Sequence, residues 1–364
     1  MPSPRPRSRW LIPTALGLVV AAFVALWATQ SRRASRGLVV YCAHDLVFAE
    51  PLLRRFEAET EIPITIVGDT EASKSLGLVR RIEAEAAAPQ CDVFWNNQLL
   101  GTMQLAEAGL LRPYRGEHWK QTPPQFRDDD AQWCGFAGRM RVVVSRGDRP
   151  PGERTLAIAD PMFGTTLTHA ALMWDRLGPE GFAGWYESAV EDDRISIVPG
   201  NGPACRLVVD GRRDAAWTDT DDAFSMRADQ IAAGEEPMRI TPYVWPTSFA
   251  ADFPGAATPD EEPATILIPN TVAIVRGTDR VGEAELLVDW LLSPATERSL
   301  AFGPSRQIPL KPAGGPLPPE VDELMPRTDD GVDLKELFEA RRAALDWLTK
   351  RAAGETPTND GAGE

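Results

Sequence analysis

Arg213-Asp214-Ala215-Ala216-Trp217-Thr218-Asp219-Thr220-Asp221-Asp222 runs from a short half-apolar segment into three carboxylates within four residues. The apolar part reads as a brief strand of an α/β sheet, and the aspartates fall where that strand emits its loop. Open α/β sheets bind ligands at this edge, outside the carboxyl ends of their strands. Two readings meet here. One aspartate can cap the helix expected from Ala223 onward and favour its positive N-terminus. Three crowded ones repel each other unless something positive sits among them, such as a hard cation or a positively charged organic molecule.

The alternation extends to the front of the chain. Leu38-Val39-Val40-Tyr41 has strand character, and Asp45 stands where a helix cap would. Leu46, Val47, Leu53 and Phe56 then recur at helical spacing. Pro63 to Val67 reads as a second strand, Leu76 to Ala88 as a helix, and Cys91 to Trp95 as a third strand ending in Asn96, Asn97 and Gln98. Residues 38–98 thus run β-α-β-α-β, the pattern of a parallel sheet with helices on its faces. A helix over Leu99–Ala108 closes at Gly109, a C-cap residue. The proline- and charge-rich stretch 112–130 reads as surface loop, and Trp133 to Ser145 as a long β segment. Asp160 to Thr168 leads into a helix whose small and hydroxyl residues could aim N–H groups at an anion, or simply cap it. Ile195–Val198 is a strand, Asn201 opens a helix through Val209, and two strand-like runs lie in Ala264–Val275. Helices follow at 283–292, 295–302 and 334–351, and the last residues, 353–364, read as a disordered tail.

Composition narrows the function. The 364 residues carry a net charge of −15, with 43% hydrophobic and 25% charged side chains. That suits a globular chain long enough for two lobes and argues against nucleic acid, whose binders need basic patches. Cys42, Cys91, Cys134 and Cys205 lack metal-finger spacing, leaving one or two disulfides or buried thiols as the alternatives. Arg5, Arg7 and Arg9 precede an apolar run over 10–29. About 20 residues at ~1.5 Å each match a ~30 Å bilayer core. Residues 1–36 therefore read as an export signal or a retained inner-membrane anchor, with the bulk of the chain periplasmic or otherwise extracytoplasmic.

An ordered set of stretches resembles one family, the periplasmic solute-binding proteins of ferric-iron ABC importers. They are Leu38–Phe56, Gln90–Trp95 with Leu105–Leu111, Gly138–Val144 (GRMRVVV), Phe163–Ala170, Asp214–Ala216 and Ile268–Val275. The resemblance implies a type II periplasmic-binding-protein fold, two α/β lobes with a central ligand cleft joined by crossing strands. Lobe 1 would comprise 37–138 plus 268–310, and lobe 2 would comprise 139–267 plus 311–352. Arg139–Ser145 would make the first crossing and the stretch near Ile268 the return. A monomer would deliver its ligand to an ABC permease and its ATPase.

The family's iron ligands map imperfectly. The position of its loop histidine falls on Asp45, with His44 one step earlier, and that of its glutamate on Asn97. Its paired tyrosines fall on Asp221 and Asp222, and this chain has four scattered tyrosines and no adjacent pair. An asparagine that binds the accompanying anion matches Asn201. The expected metal set is Asp45, His44, Asp219, Asp221 and Asp222, with Asn201, Thr165, Thr166, Asn97 and Trp95 around the ligand or its synergistic anion. Fe³⁺ comes first by family association, although carboxylates suit Ca²⁺, Mg²⁺ or Mn²⁺ as well. The alternatives are a polyamine-like organic cation beside Trp95, a phosphorylated or phosphonate solute, and a Mg²⁺-dependent phosphotransferase using Asp219-x-Asp221 as a DxD pair. No Gly-rich phosphate loop or GxSxG elbow supports an enzyme.

Overall fold

A computed structural model describes residues 37–69, 76–328 and 331–355. The expected signal or anchor over 1–36 lies outside the described residues, as does the tail from 356 onward. Among the described residues no helix is long and apolar enough to cross a membrane.

The first half of the fold follows the alternation. β1 (Leu38–Cys42), α1 (Leu46–Thr60), β2 (Ile64–Gly68), α2 (Leu76–Ala84), β3 (Val93–Asn96) and α3 (Leu100–Glu107) come in turn. β1 pairs in parallel with both β2 and β3. Leu38, Val40 and Cys42 enter a core with Leu53, Phe56 and Leu287, whereas Tyr41 enters the opposite core with Val79 and Ile82. Successive strand residues face opposite sides, so covering both faces makes the strand read as a continuous apolar run. Each such Leu or Phe contributes about 1.5–3 kcal/mol of burial. Gly109, at φ 68, ends α3, and Leu110 N–H returns to Leu105 O at 3.0 Å.

β4 (Leu111–Arg112) leads into the stretch expected to be surface loop. It instead forms 3₁₀ turns at Trp119–Gln121 and Pro124–Phe126 that bury Trp119 and Phe126. The guanidinium carbons of Arg115 and Arg127 lie 5.1 and 4.3 Å from the Trp119 ring centre, so the local charge covers an aromatic anchor.

The crossing follows. β5 (Cys134–Ser145) pairs antiparallel through its first part with the returning strand, and through Arg141–Ser145 with the second half of the sheet. That half contains β6 (Leu156–Ala159), α4 (Gly164–Glu191), β7 (Ile195–Val198), α5 (Asn201–Val209), β8 (Ala215–Asp219) and α6 (Thr220–Ala232). α4 breaks at Gly178, φ 72, followed by Pro179. β9 (Arg239–Pro242), β10 (Val244–Trp245) and α7 (Thr247–Asp252) are too short for a legible periodicity. β11 (Ala264–Thr265) precedes the return strand β12 (Leu267–Val275), which inserts between β3 and β5. The long sheet runs β2-β1-β3-β12-β5-β8-β6-β7, with β4 and β9 added at its sides. α8 (Val281–Leu291), α9 (Pro294–Phe302) and α10 (Pro319–Asp322) come next. The final helix, expected from 334, begins as a 3₁₀ turn at Leu334–Leu337 and continues as α11 (Phe338–Ala352). All four cysteines are buried free thiols, which removes the disulfide alternative. Burial pushes the Cys42 thiol up to about 12.

A candidate ligand cleft at the carboxyl ends of the strands

The loops after β1, β3, β6, β7 and β8 converge on one cavity of about 310 Å³ at the sheet's crossing point. It is lined by Asp45 and Asn97 from the first half, Arg139 from β5, and Thr165, Thr166, Asn201, Asp219, Asp221 and Asp222 from the second. Five aspartates, Asp160 included, face one arginine among the lining residues. The first turns of α4 and α5 also border it through Gly164–Thr166 and Asn201–Pro203, which puts two helix N-termini at the cavity wall.

The three clustered aspartates do different work. Asp219 occupies the N-cap position of α6 but makes no side-chain cap bond. Its Oδ1 accepts from Arg141 Nη1 at 2.7 Å, and its Oδ2 accepts from Thr165 Oγ1 at 2.5 Å and Asn201 Nδ2 at 2.9 Å. Both oxygens are thus committed to protein donors, and the paired Arg141 is itself completely buried. Asp219, placed in the metal set by the sequence, is thus held in the cleft floor by three protein donors and balanced by an arginine two residues along β5 from the one that lines the cavity. Asp221 Oδ2 lies 3.3 Å from Arg139 Nε, with both side chains 3% exposed. Burial, opposed by Arg139 and reinforced by the charges of Asp219 and Asp45, raises the Asp221 carboxyl to about 6. Asp222 borders the cavity half-buried.

From the first half, Asp45 stands at the N-cap position of α1, again without a side-chain cap bond. Ligand atoms of His44, Asp45 and Asp221 all lie within 4.8 Å of one another. Sequence reasoning missed Arg139. Its Nη1 donates to Asn97 O at 3.0 Å and its Nη2 to Asn270 Oδ1 at 2.7 Å, so one side chain joins β3, β12 and α6. Two arginines at alternate positions of an otherwise apolar strand were the available signal, because buried cations require partners.

Trp95, expected beside the ligand, does not line the cavity. It is fully buried, its ring 5.2 Å from Phe136 and 5.7 Å from His44, and its indole N–H donates to Asn270 Oδ1 at 3.3 Å. β3 is an interior strand covered on both faces, so its last aromatic is core. Phe48 and Phe163 supply the aromatic lining instead.

No family model matches the chain. An iron uptake protein A1 of Synechocystis is 30% identical over 114 residues, a match that covers 30% of this chain and 31% of that relative's length. A ferric binding protein from Campylobacter jejuni superposes with a TM-score of 0.71 at 15% identity, covering 86% of this chain and 98% of the other. The fold is that of the type II solute-binding proteins. The periplasmic binding protein AfuA from Actinobacillus pleuropneumoniae, solved with fructose-6-phosphate bound, superposes with a TM-score of 0.67 at 19% identity over 86% of this chain and 98% of its own. The solute-binding fold accounts for the two crossings and for a cleft at the strand ends.

Proposed function

We propose that this chain is the extracytoplasmic solute-binding component of an ABC importer whose cleft captures a cation, iron(III) foremost, for delivery to a permease and its ATPase. The observation that carries this is the approach of Asp45 and Asp221 from opposite walls to within 4.8 Å, with His44 beside them, in a strongly acidic cavity. Carboxylates brought that close repel each other when empty and are relieved by a cation. Iron is favoured by the names of the relatives, and the α4 and α5 N-termini supply the place for an accompanying anion. Export through residues 1–36, retention of 10–29 as an anchor, the lobe division stated above and a monomeric state belong to the same reading. Hinge closure about β5 and β12 would bring the two walls onto the ligand.

A second reading has its own support. The cavity has room for a small organic molecule, and a structural neighbour holds a sugar phosphate. A phosphorylated solute would set its phosphate on the helix N-termini and its hydroxyls on the aspartates. The organic-cation reading loses the Trp95 contact on which it leaned. A DxD metal pair loses Asp219, whose oxygens are both occupied.

The test is elemental analysis of the chain purified without chelator, with thermal shifts against Fe³⁺-citrate, Mn²⁺, Ca²⁺, Zn²⁺, spermidine and fructose-6-phosphate. A cation at 100 times its Kd adds about 2.7 kcal/mol of stability. That gain should vanish in Asp45→Asn and Asp221→Asn. A shift with fructose-6-phosphate alone would replace the metal reading with the second one.

A further inference from the structure

A small cavity of about 10 Å³ lies behind the cleft wall, bordered by Thr166, His169 and Trp185 among apolar neighbours that include Ala170 and Trp217. Thr166 is common to both spaces, since it lines the ligand cavity as well. The volume is that of about one probe sphere, room for a single water. Three of the bordering side chains each carry a buried polar atom without a bond. Thr166 Oγ1, His169 Nε2 and Trp185 Nε1 are sealed from solvent and have no hydrogen-bond partner in the protein. Native interiors rarely leave such groups unbonded, and here three of them share one small space.

Packing keeps the two rings from turning to other partners. His169 lies against Trp217 and Tyr243, with ring centroids 5.1 and 4.3 Å away, and Trp185 stacks on Trp217 at 6.0 Å with 9° between the planes. The three groups also suit one guest. The indole N–H only donates, and the threonine hydroxyl both donates and accepts. Burial, reinforced by the charge of Arg141, pushes the His169 imidazole well below its ordinary value, so the ring is neutral and Nε2 accepts or donates. A molecule with two protons and two lone pairs answers all three groups in either tautomer. A metal ion would meet the indole N–H, and an anion would find no cationic side chain in the lining.

We infer that one water molecule is held between Thr166, His169 and Trp185, and that the Thr166 hydroxyl serves this water and not the cleft. Thr165 is committed in a similar way, its Oγ1 donating to Asp219 Oδ2. Both threonines at the start of α4 thus turn their hydroxyls into the protein, and a ligand in the cleft meets neither. The water also ties the two segments of α4, because Thr166 and His169 precede the break at Gly178 and Trp185 follows it. The water site stands apart from the proposed function, and only the statement about the ligand rests on it.

The experiment is a high-resolution crystal structure of the full chain, beside ¹⁷O magnetic relaxation dispersion to count long-lived internal waters. Wild type should show a density peak at hydrogen-bonding distance, about 2.7–3.2 Å, from all three atoms. Ala170→Val fills the cavity while leaving the three polar groups in place, and it should hold one long-lived water fewer. An empty cavity, three atoms bonded to protein groups, or an unchanged count in folded Ala170→Val overturns the inference. If Ala170→Val does not fold, the wild-type density decides. Crystals soaked with Fe³⁺-citrate or fructose-6-phosphate provide the second arm. Thr166 Oγ1 should keep its bond to the water, and a bond from Oγ1 to either probe would overturn the assignment of the hydroxyl. Binding of neither probe would count against the proposed function, while the density still judges the water.

Discussion

Replacing Arg141 with methionine would remove the cation and leave the Asp219 carboxylate buried beneath the cleft with two neutral donors, Thr165 and Asn201. Breaking one side of a buried ion pair costs about 3–5 kcal/mol, most of it from the charge left behind. The two neutral donors that remain offset part of this, so we expect about 3 kcal/mol. Asp219→Asn reverses the situation, because Arg141 keeps its charge and meets an amide that can turn its oxygen toward only one set of donors. A similar loss is expected. The double variant removes both charges, and its stability should return to within about 1–2 kcal/mol of wild type, since uncharged replacements of buried pairs are often near neutral. Urea denaturation of the four proteins closes the cycle. A coupling energy of about 2 kcal/mol or more supports the pairing, whereas single losses that add within about 0.5 kcal/mol would refute it. Cation affinity provides the second arm. If Asp219→Asn abolished binding while leaving stability untouched, Asp219 would be a ligand and the division of labour among the aspartates would be wrong.

Other outcomes follow from burial and charge. The Asp252 carboxyl, raised to about 6 by burial and held by the Trp217 indole N–H at 2.8 Å, keeps its proton in the fold where an unfolded chain has already lost it. Its contribution is fully present below about pH 4 and is lost as pH rises through 6, so Asp252→Asn should flatten the melting profile over that window and gain up to about 3 kcal/mol at pH 7. An unchanged slope would count against it. Trp347 on α11 packs edge-on against Phe182 and Tyr186, and Trp347→Ala should cost about 3–5 kcal/mol in denaturant titrations. With all four cysteines buried and unbonded, a thiol reagent should find none in the native chain and four after denaturation.

The fold was readable where elements alternate and each is long enough to show a period. Residues 38–98 carry β-α-β-α-β plainly, and the helix opening at Asn201 runs through Val209 as read from the sequence. Residues 239–252 escaped because two- to six-residue elements hold no period, and their order comes from pairing with β5 and β11. At the site, position was legible and role was not. Asp219, Asp221 and Asp222 stand at a strand end as expected, but which of them is consumed by the protein depends on Arg139 and Arg141, contributed from about 80 residues earlier by a neighbouring strand. Trp95 misled because an interior strand offers no alternation to tell a core aromatic from a cleft one. Asn270 and Gln307, polar residues in buried settings, were visible as letters but their partners lie up to 263 residues away.

β12 lies at the middle of the long sheet, between β3 and β5, yet it arrives in the chain some 120 residues after β5 and 170 after β3. A nascent chain that stops short of Val275 therefore has no centre. Its β3 and β5 would stand as bare edges where the finished protein has an interior, open to each other in the wrong register or to another chain. Contacts of such long sequence separation make folding slow, because the loop entropy is spent before the pairing is gained. The same late insertion keeps the sheet from closing until the chain has been made as far as Val275. The sheet closes only when Thr271 reaches its partners Asn96 and Gly135 on either side.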